Sequence, residues 1–379
     1  MKRGYNFAAG PSKLPSRVIK KAAREMMNYR GTGHSIMEAT HFTPVIQNLL
    51  CEVEARLRRL MDIPNDYHVL FVQGGGTLQF SMVPMNLRRK GRAAYIDTGV
   101  WSQKAIAEAE KVLSVDVVAS GRDSRYSVIP DVREVSGDYD YVYMVMNNTA
   151  EGTAWRRPLP DTRGVPIVAD ASSCILSEEI DVSKFGIIFA GAQKNIGIAG
   201  VTAVIIRGDL VSGGADASVP GLLRYDSYVR MKSLYNTPPS FAIYMMGMVL
   251  EWLEDVGLGK IEALNREKAA LLYGYLDKSG FYEPTIKDED SRSIANITFV
   301  LKDPSLTEKF ISDAAKAGII NIRAHKASLF GGLRVSIYNA MRVKGVRSLI
   351  RFMESFALRN SPRPGPSFLS RLRRLLRSV

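Results

Sequence analysis

The chain has 379 residues, 46% of them hydrophobic and 23% charged, which is typical of a globular protein large enough for two domains. Of its net charge of +13, six units are arginines after residue 358, with no acid among them. The remaining +7 suits anionic metabolites, and the sequence has no zinc-finger, RNP-like or basic-zipper pattern, so dedicated nucleic-acid binding is not expected.

The two cysteines allow no disulfide framework, which fits a reducing compartment. The N-terminal residues include no apolar signal region, and the longest apolar run, residues 241–250, is too short to span a bilayer. We therefore expect a cytoplasmic protein, and no metal site is expected.

The first 61 residues predict two amphipathic helices separated by a polar loop. Ser16 begins a helix that runs to about residue 29, with its apolar positions on one stripe. A second helix is predicted over residues 43–61 by the same pattern. The loop between them carries His34 and His41, half of the four histidines in the chain.

Strands and helices alternate from about residue 68 to residue 207. Short apolar runs predict strands at residues 68–72, 114–119, 139–146, 164–170, 187–192 and 201–206, and the segment RAAYIDTGV predicts a further strand and turn before Trp101. This alternation is typical of an α/β protein whose mainly parallel sheet, of the seven-stranded type, lies between helices. A ligand site is then expected at the carboxyl ends of the strands.

Candidate functional residues lie where these strands end: Gly76 and Thr77 in a glycine-rich turn, then Trp101, Thr149, Asp170 and Lys194. Each has an ordinary alternative, because such turns can be packing devices and such side chains can be core aromatics, caps or surface groups. Since the carboxyl ends of parallel strands meet at one edge of a sheet, we expect these positions to converge.

Lys194 and Asp170 carry the functional prediction. A lysine between two buried strands is costly unless it is paired, deprotonated or covalently used. Pyridoxal phosphate needs an amine that holds its aldehyde as a Schiff base and an acid that keeps its ring nitrogen protonated. The pair therefore predicts a pyridoxal phosphate site, with the ring stacked on Trp101 and the phosphate on the exposed amides of the glycine turn.

The chain after residue 207 predicts long helices followed by a smaller α+β pattern. An Asn-Thr-Pro-Pro turn leads into an apolar helix that is typical of a core or a dimer interface. We assign residues 16–257 to a large cofactor-binding domain, and residues 1–15 with 258–360 to a small α+β domain. Residues 361–379 form a basic extension, whose composition favours a disordered terminus over a membrane-surface or partner-binding helix.

The sequence resembles the phosphoserine aminotransferases, which are pyridoxal phosphate-dependent class-V transaminases of the aspartate-aminotransferase fold type. The resemblance covers nearly the whole chain and is most specific in AGAQKN and LYNTPP, with further matches in YNFAAGPSKLP, QGGGTLQFSMVPMNL and GGLRVSIYNAM. It implies a reversible amino transfer from L-glutamate to 3-phosphohydroxypyruvate that gives O-phospho-L-serine and 2-oxoglutarate. It also implies a homodimer with shared active sites.

The resemblance implies a role for each matching residue. Catalysis would rest on Lys194, Asp170 and Trp101, which hold the aldehyde, the ring nitrogen and the ring face of the cofactor. Further cofactor contacts would come from Thr149 at the ring hydroxyl, from Gly76, Thr77 and Gln193 at the phosphate, and from Asn236 and Thr237 of the neighbouring subunit. Substrate anions would be bound by His41, His325, Lys326 and Arg334, of which Arg334 clamps the α-carboxylate.

The pocket for the distal anion of the substrate departs from the family pattern. That pattern places an arginine after the histidine of an ExSHR loop and an arginine after a second histidine. Here Phe42 follows His41 and Lys326 follows His325. Because neither a phenyl ring nor an ammonium reproduces the contacts of a guanidinium, we expect weaker phosphate recognition, unless the set His41, His325 and Lys326 suffices or Arg230 or Lys232 compensates.

The same departure leaves other functions open. The main alternative is transamination of a related oxo acid that is less charged. A different reaction on the same cofactor, and a non-catalytic protein that only binds pyridoxal phosphate, are further alternatives that keep Lys194 and Asp170.

Overall fold

A seven-stranded sheet forms the centre of the protein. The structure is a computed structural model and describes residues 3–361. Over that range the strands are, in chain order, β1 (Tyr5–Asn6), β2 (Tyr67–Gln73), β3 (Arg92–Asp97), β4 (Ser114–Ser120), β5 (Val142–Val145), β6 (Asn147–Asn148), β7 (Thr153–Ala154), β8 (Ile167–Asp170), β9 (Ile187–Gly191), β10 (Val201–Arg207), β11 (Tyr282–Pro284), β12 (Asn296–Leu301), β13 (Ile319–Ile320) and β14 (Leu333–Ser336).

The helices lie on both faces of this sheet and around a smaller one. Within the same residues they are α1 (Ser16–Glu25), α2 (Pro44–Met61), α3 (Gln79–Leu87), α4 (Val100–Ala109), α5 (Asp209–Ser212), α6 (Tyr225–Arg230), α7 (Ser240–Val256), α8 (Leu258–Leu276), α9 (Thr307–Lys316) and α10 (Val343–Asn360).

The central sheet has the strand order β2-β10-β9-β8-β5-β3-β4. Only β10 runs antiparallel to its neighbours in this sheet, and β3, β4, β5, β8 and β9 pair in parallel. The predicted α/β fold with a mainly parallel seven-stranded sheet is confirmed. Because β2 also runs in the direction of the parallel strands, the carboxyl ends of β2, β3, β5, β8 and β9 share one edge.

Both faces of the central sheet are covered, which explains why its strands are apolar almost throughout. Alternate residues of a strand point to opposite faces. In β2, Val69 and Phe71 belong to a core shared with α2 and α7, whereas Leu70 and Val72 belong to a second core shared with α3 and α4. The sheet is therefore rigidly held, and the residues that follow its strands are fixed in position.

A third hydrophobic core surrounds the smaller sheet, in which β12 pairs antiparallel with β11 and β14. It contains residues of α8 and α10, such as Leu272 and Phe356, and also Phe7 from the start of the chain. Residues 5–6 pair with β13, so the N-terminal segment joins this part of the molecule. The exact division into residues 16–257 and residues 1–15 with 258–360 stays a prediction.

The first helix ends earlier than the sequence predicted, at Glu25 rather than near residue 29. The following residues instead form a short 3₁₀ turn, Tyr29–Gly31, in which the Tyr29 amide donates to the carbonyl of His34 at 2.9 Å. Tyr29 is 4% exposed and packs edge-on against Tyr244 at 5.4 Å between ring centres. Burial of this ring takes the place of a further helical turn.

The strand predicted at residues 139–146 is also shorter, covering only Val142–Val145, and the chain forms a second small ladder directly after it. Strands β6 and β7 pair antiparallel, with Asn148 opposite Thr153. The turn of this hairpin carries Thr149, which places that residue beyond the carboxyl end of β5.

No helix within residues 3–361 is long and apolar enough to cross a membrane, and no group of three or more His, Cys, Asp or Glu residues in that range could hold a metal ion. The predictions for the basic extension after residue 361 lie outside the described residues.

Candidate active site

Lys194 lies in the turn between β9 and β10, and three distant segments hold the main chain of this turn. The amide of Ser12 donates to the carbonyl of Gln193 at 2.9 Å, and the Ser12 hydroxyl donates to the carbonyl of Lys194. The Asn195 side chain accepts from the Asn339 amide at 3.1 Å and donates to the Ile175 carbonyl at 2.6 Å. The backbone that carries the Lys194 side chain is therefore held in place.

The amine of Lys194 points toward two of the predicted partners. Its Nζ donates to Oγ1 of Thr149 at 3.2 Å and lies 5.2 Å from the centre of the Trp101 ring. The pKa of Lys194 is lowered, mainly because burial removes the ammonium from water and further because Arg334 is nearby, while Asp170 acts in the opposite direction. A larger fraction of neutral amine is therefore present than on a surface lysine.

Asp170 ends β8 and is 7% exposed. Its Oδ1 accepts from the Ser172 amide at 2.9 Å. Among the described residues, no hydrogen bond or salt bridge joins Asp170 to Lys194, whose amine bonds to Thr149 instead. The carboxylate and the amine thus belong to one site without neutralising each other directly.

Arg334 approaches the site from β14 of the smaller sheet. Its Nη1 donates to the carbonyl of Thr149 at 3.2 Å, whereas its Nε is buried without a partner in the described part of the chain. Burial lowers the pKa of Arg334, although a guanidinium stays charged in proteins. This arginine has unused donors and is suited to bind a carboxylate.

The glycine-rich turn after β2 lies against Ser172 and Gln193. A Cβ atom at Gly76 would come within 2.9 Å of the Ser172 hydroxyl, so a larger residue would not fit there. Oε1 of Gln193 is buried without a partner among the described residues. The 3₁₀ turn Gly76–Leu78 leads into α3, and the amides of Leu78 and Gln79 donate to carbonyl groups within the glycine-rich turn.

These residues fit pyridoxal phosphate. The site offers a half-buried amine with a lowered pKa, a buried carboxylate at a separate strand end, and the indole of Trp101 in the first turn of α4. Three of its residues have buried atoms without a hydrogen-bond partner in the described range, namely Nε1 of Trp101, Oε1 of Gln193 and Nε of Arg334. Buried polar atoms are rarely left unpaired, which is consistent with a polar group in this space.

His325 joins this constellation, but Lys326 does not. The His325 ring lies 5.8 Å from the Trp101 ring, centre to centre. Its pKa is lowered by burial and by the nearby positive charges of Arg334, Lys104 and Lys326. Lys326 itself is exposed and makes no hydrogen bond or salt bridge with another residue of the described range.

The remaining predicted residues form a separate cluster. Asn236 donates to the Gln73 side chain at 3.0 Å, and Oγ1 of Thr237 lies 3.4 Å from Nδ1 of His41. Phe42 is 79% exposed, and its ring lies against that of His41 at an angle of 36°, with 4.0 Å between ring centres. In the part of the chain that the structure describes, no hydrogen bond joins this cluster to the Lys194 amine.

Sequence reasoning missed several residues that shape the site. Ser12 and Asn339 hold the Lys194 turn, and Ser172 lies against the glycine turn. Glu151 is 4% exposed and accepts from the Val100 amide at 2.9 Å, at the start of the helix that carries Trp101. Its carboxyl pKa is raised because it is buried. In the sequence, the one signal for a role of Glu151 is its position two residues after Thr149.

Comparison with known proteins agrees with this geometry. The family model of aminotransferase class-V matches residues 4–349. A phosphoserine aminotransferase of Listeria monocytogenes is 48% identical over 360 residues, which are 94% of this chain and 97% of that protein. One from Bacillus cereus is 48% identical over 364 residues, which are 95% of this chain and all of that protein.

The chain belongs to the class-V aminotransferases and, among them, to the phosphoserine aminotransferase family. A solved structure of phosphoserine aminotransferase from Bacillus circulans subsp. alkalophilus superposes with a TM-score of 0.90 at 43% identity, covering 94% of this chain and 99% of that one. A second structure, with a TM-score of 0.90 at 39% identity, shows a phosphoserine aminotransferase examined for radiation damage of its Schiff base.

Membership of this family confirms three predictions made from the sequence. The chain is an enzyme, it is a transaminase, and its cofactor is pyridoxal phosphate. The roles of individual residues stay predictions.

Proposed function

We propose that this protein transfers the amino group of L-glutamate to 3-phosphohydroxypyruvate, giving O-phospho-L-serine and 2-oxoglutarate, as part of serine biosynthesis in the cytoplasm. The observation that carries the proposal is the Lys194 amine, half-buried with a lowered pKa, 3.2 Å from Thr149 and facing Trp101. The relatives at 48% identity that are named for this activity support the choice of substrates.

In this proposal the cofactor is held by residues from five strand ends. Lys194 binds its aldehyde, Asp170 its ring nitrogen, Trp101 its ring face and Thr149 its ring hydroxyl, while Gly76, Thr77 and Gln193 bind its phosphate. Two of these residues support the proposal with a buried atom that has no partner in the described range, Nε1 of Trp101 and Oε1 of Gln193. When bound, pyridoxal phosphate supplies an electron sink for charge that develops on the substrate's α-carbon.

Lys194 is the group that moves protons. Because its pKa is lowered, the free amine is available to accept the proton that leaves the α-carbon of glutamate. In the second half-reaction the same Nζ returns a proton to the α-carbon of the amino-acid product. The hydroxyl of Thr149 orients the amine during both transfers.

Arg334 orients the substrates. Its guanidinium, which is fixed by the Thr149 carbonyl and has an unpartnered Nε, can bind an α-carboxylate through two parallel hydrogen bonds. Both substrates carry an α-carboxylate and a distal anion, so the same clamp serves both half-reactions. We assign the distal anion to His41, His325 and Lys326.

We further propose a homodimer in which Asn236, Thr237 and His41 reach the active site of the neighbouring subunit. In this chain they make contacts with one another and with Gln73 rather than with Lys194. Apolar side chains around them are exposed, namely Met37, Phe42, Met231 and Tyr235. An exposed apolar surface of this kind is typical of a subunit interface.

The division into a large domain of residues 16–257 and a small one of residues 1–15 with 258–360 is part of the proposal. The third hydrophobic core supports it, because it brings Phe7 together with residues of α8, α10 and the smaller sheet. Arg334 belongs to this sheet, so the small domain supplies the carboxylate clamp.

Transamination of a related oxo acid with a smaller distal charge is the second candidate. The exposed phenyl ring of Phe42 and the exposed Lys326 favour it, because neither provides the bidentate donors that suit a phosphate.

A two-step spectral experiment tests the proposal. Protein loaded with pyridoxal phosphate is mixed with L-glutamate, and its visible absorption band should disappear. Addition of 3-phosphohydroxypyruvate should restore the band and release phosphoserine, whereas a Lys194→Ala variant should do neither. If another 2-oxo acid restores the band and 3-phosphohydroxypyruvate does not, the second candidate replaces the first.

A further inference from the structure

A basic pocket lies behind the Lys194 turn, outside the candidate active site. It has a volume of about 360 Å³ and lies between the N-terminal segment, the junction of α7 with α8, and the residues that precede α10. Lys13, Lys260 and Arg342 line it from these three directions. None of the residues proposed to bind cofactor or substrate takes part in its walls.

The positive charges of this pocket are not balanced locally. Its lining, which consists of described residues, includes no acid. Arg17 at the rim pairs with Asp255, but Lys13, Lys260 and Arg342 form no salt bridge with any residue in the range 3–361. Arg3 lies at the same rim, where it donates to the hydroxyl of Ser16 at 3.3 Å.

This charge also affects Lys13 itself. Its pKa is lowered by burial first and then by the charges of Arg3 and Arg342. Like charges held close together favour the binding of an anion, which would relieve their repulsion.

The floor of the pocket is apolar. Trp252, Val256, Ile261 and Leu264 lie on successive turns of α7 and α8 and contribute to its wall. Ile261 is buried, whereas the other three are half-buried and keep surface available for contact. A site with cations on its rim and an aromatic and aliphatic floor matches a ligand with a charged head and an apolar body.

We propose that this pocket is a second binding site, which takes a small organic anion carrying a carboxylate or phosphate head on an apolar body. A pocket of about 410 Å³ elsewhere offers a comparison, since it is lined by Asp62, Glu178, Glu179 and Asp181 together with Arg59. The acidic residues of that lining repel an anion. The basic pocket is therefore distinguished by its charge and not by its size.

The site adjoins the active-site lysine without sharing its residues. Lys13 follows Ser12, which bonds to the carbonyl groups of Gln193 and Lys194. Asn339, which lines the pocket, donates its amide to Asn195 at 3.1 Å. A bound anion would therefore contact two of the segments that hold the Lys194 turn.

Titration calorimetry with three probes tests the proposal on the full chain loaded with pyridoxal phosphate. 1-Naphthyl phosphate and 2-naphthoate combine an anionic head with an apolar ring, and inorganic phosphate has only the head. We expect at least one of the two aryl anions to bind, about tenfold or more tightly than inorganic phosphate, with an affinity that falls as salt is raised. Comparing the two aryl anions distinguishes a phosphate head from a carboxylate head.

Charge-removing variants locate the binding. Lys13→Gln/Arg342→Gln should weaken aryl-anion binding about tenfold. Lys260→Gln/Arg342→Gln, which changes only exposed side chains, should also weaken it. Lys278→Gln/Lys302→Gln removes the same charge from exposed positions outside the pocket and should leave binding unchanged.

Two results would overturn the proposal. One is the absence of binding by both aryl anions at millimolar concentration. The other is an equal affinity in the natural protein and in both pocket variants, because the probes would then occupy a different site. Neither result bears on the transaminase proposal, which the spectral experiment tests separately.

Discussion

The hydroxyl of Thr149 accepts a hydrogen bond from the amine of Lys194 at 3.2 Å. The main-chain carbonyl of the same threonine accepts from Arg334, also at 3.2 Å. One hairpin residue thus contacts both the proposed proton carrier and the proposed carboxylate clamp, and its own position is set by the pairing of β6 with β7.

A Thr149→Val substitution removes the hydroxyl while keeping the shape of the side chain. The hydroxyl stabilises the protonated form of Lys194, so its loss should lower the pKa of that amine further. Activity should rise with pH through this pKa, and in the variant the rise should move to lower pH. We also expect kcat to fall about tenfold, because one orienting hydrogen bond is lost.

The matched control is Thr149→Ser, which keeps the hydroxyl. Its activity should rise over the same pH range as that of the natural protein, on the acid limb of the pH profile. The measurement is the pH profile of the glutamate half-reaction. Identical acid limbs in the valine and serine variants would contradict the proposed role of this hydrogen bond.

A Phe42→Arg substitution tests the distal pocket. Phe42 is 79% exposed beside His41, so an arginine can be accommodated there without disturbing the core. A charge-assisted hydrogen bond to phosphate should raise kcat/KM for 3-phosphohydroxypyruvate about tenfold at low salt. Phe42→Leu removes the ring without adding charge and should give no increase.

Steady-state kinetics with several oxo acids provides the measurement. Equal turnover of 3-phosphohydroxypyruvate by the natural protein and Phe42→Arg would show that phosphate recognition does not depend on this position.

Mixing two inactive variants tests the shared active sites. Lys194→Ala and Thr237→Ala alone should each have little activity. In a mixed dimer one site contains both substitutions and the other contains neither, if Thr237 serves the neighbouring subunit. Equal mixing should then restore roughly a quarter of the native activity, because half of the dimers are mixed and each has one intact site.

The mixture must pass through an unfolding and refolding step so that subunits exchange. Recovered activity that does not exceed the sum of the two separate variants would place Thr237 in its own chain's site or outside any site.

Lys268 should make the stability of the fold depend on pH. It is 1% exposed, and its amine donates to the carbonyls of Ile337 and Tyr338 at 2.6 and 2.9 Å. Burial lowers its pKa from 10.5 to about 7. Between these values the unfolded chain binds a proton that the folded chain does not, so the free energy of unfolding should rise with pH across this window.

Lys268 can change the free energy of unfolding by at most about 1.4 kcal/mol per pH unit. Urea unfolding of the natural protein and Lys268→Met at pH 7, 8 and 9 measures it as a difference between the two proteins. Lys278→Met, at an exposed position, serves as the control and should follow the natural protein. Parallel curves for the natural protein and Lys268→Met would contradict the prediction.

The residues that converge in the site were predictable because sheet direction determines where strand ends lie. Apolar runs marked the strands, and glycine, indole and charged residues marked their ends, so Gly76, Trp101, Thr149, Asp170 and Lys194 could be placed at one edge. A periodic pattern and a topology rule are both present in the sequence.

The contacts that hold Lys194 in place were not predictable in this way. Ser12 lies 182 residues from Lys194 in the sequence, and Asn339 lies 144 residues from Asn195. Small polar residues in loops leave no periodic signal, and their partners are decided by tertiary packing. The early end of α1 has a similar origin, since the burial of Tyr29 against Tyr244 overrides a helical pattern.

The three segments that hold the Lys194 turn come from the beginning, the middle and nearly the end of the chain. During synthesis, Ser12 and Ile175 leave the ribosome long before Asn339 does. A nascent chain that stops before residue 339 contains every proposed cofactor contact of its own subunit. Its Lys194 turn, however, lacks the hydrogen bond between Asn195 and Asn339. Cofactor capture by growing chains should therefore lag behind the folding of the central sheet, and a truncation just before Asn339, which also removes α10, should uncouple the two events.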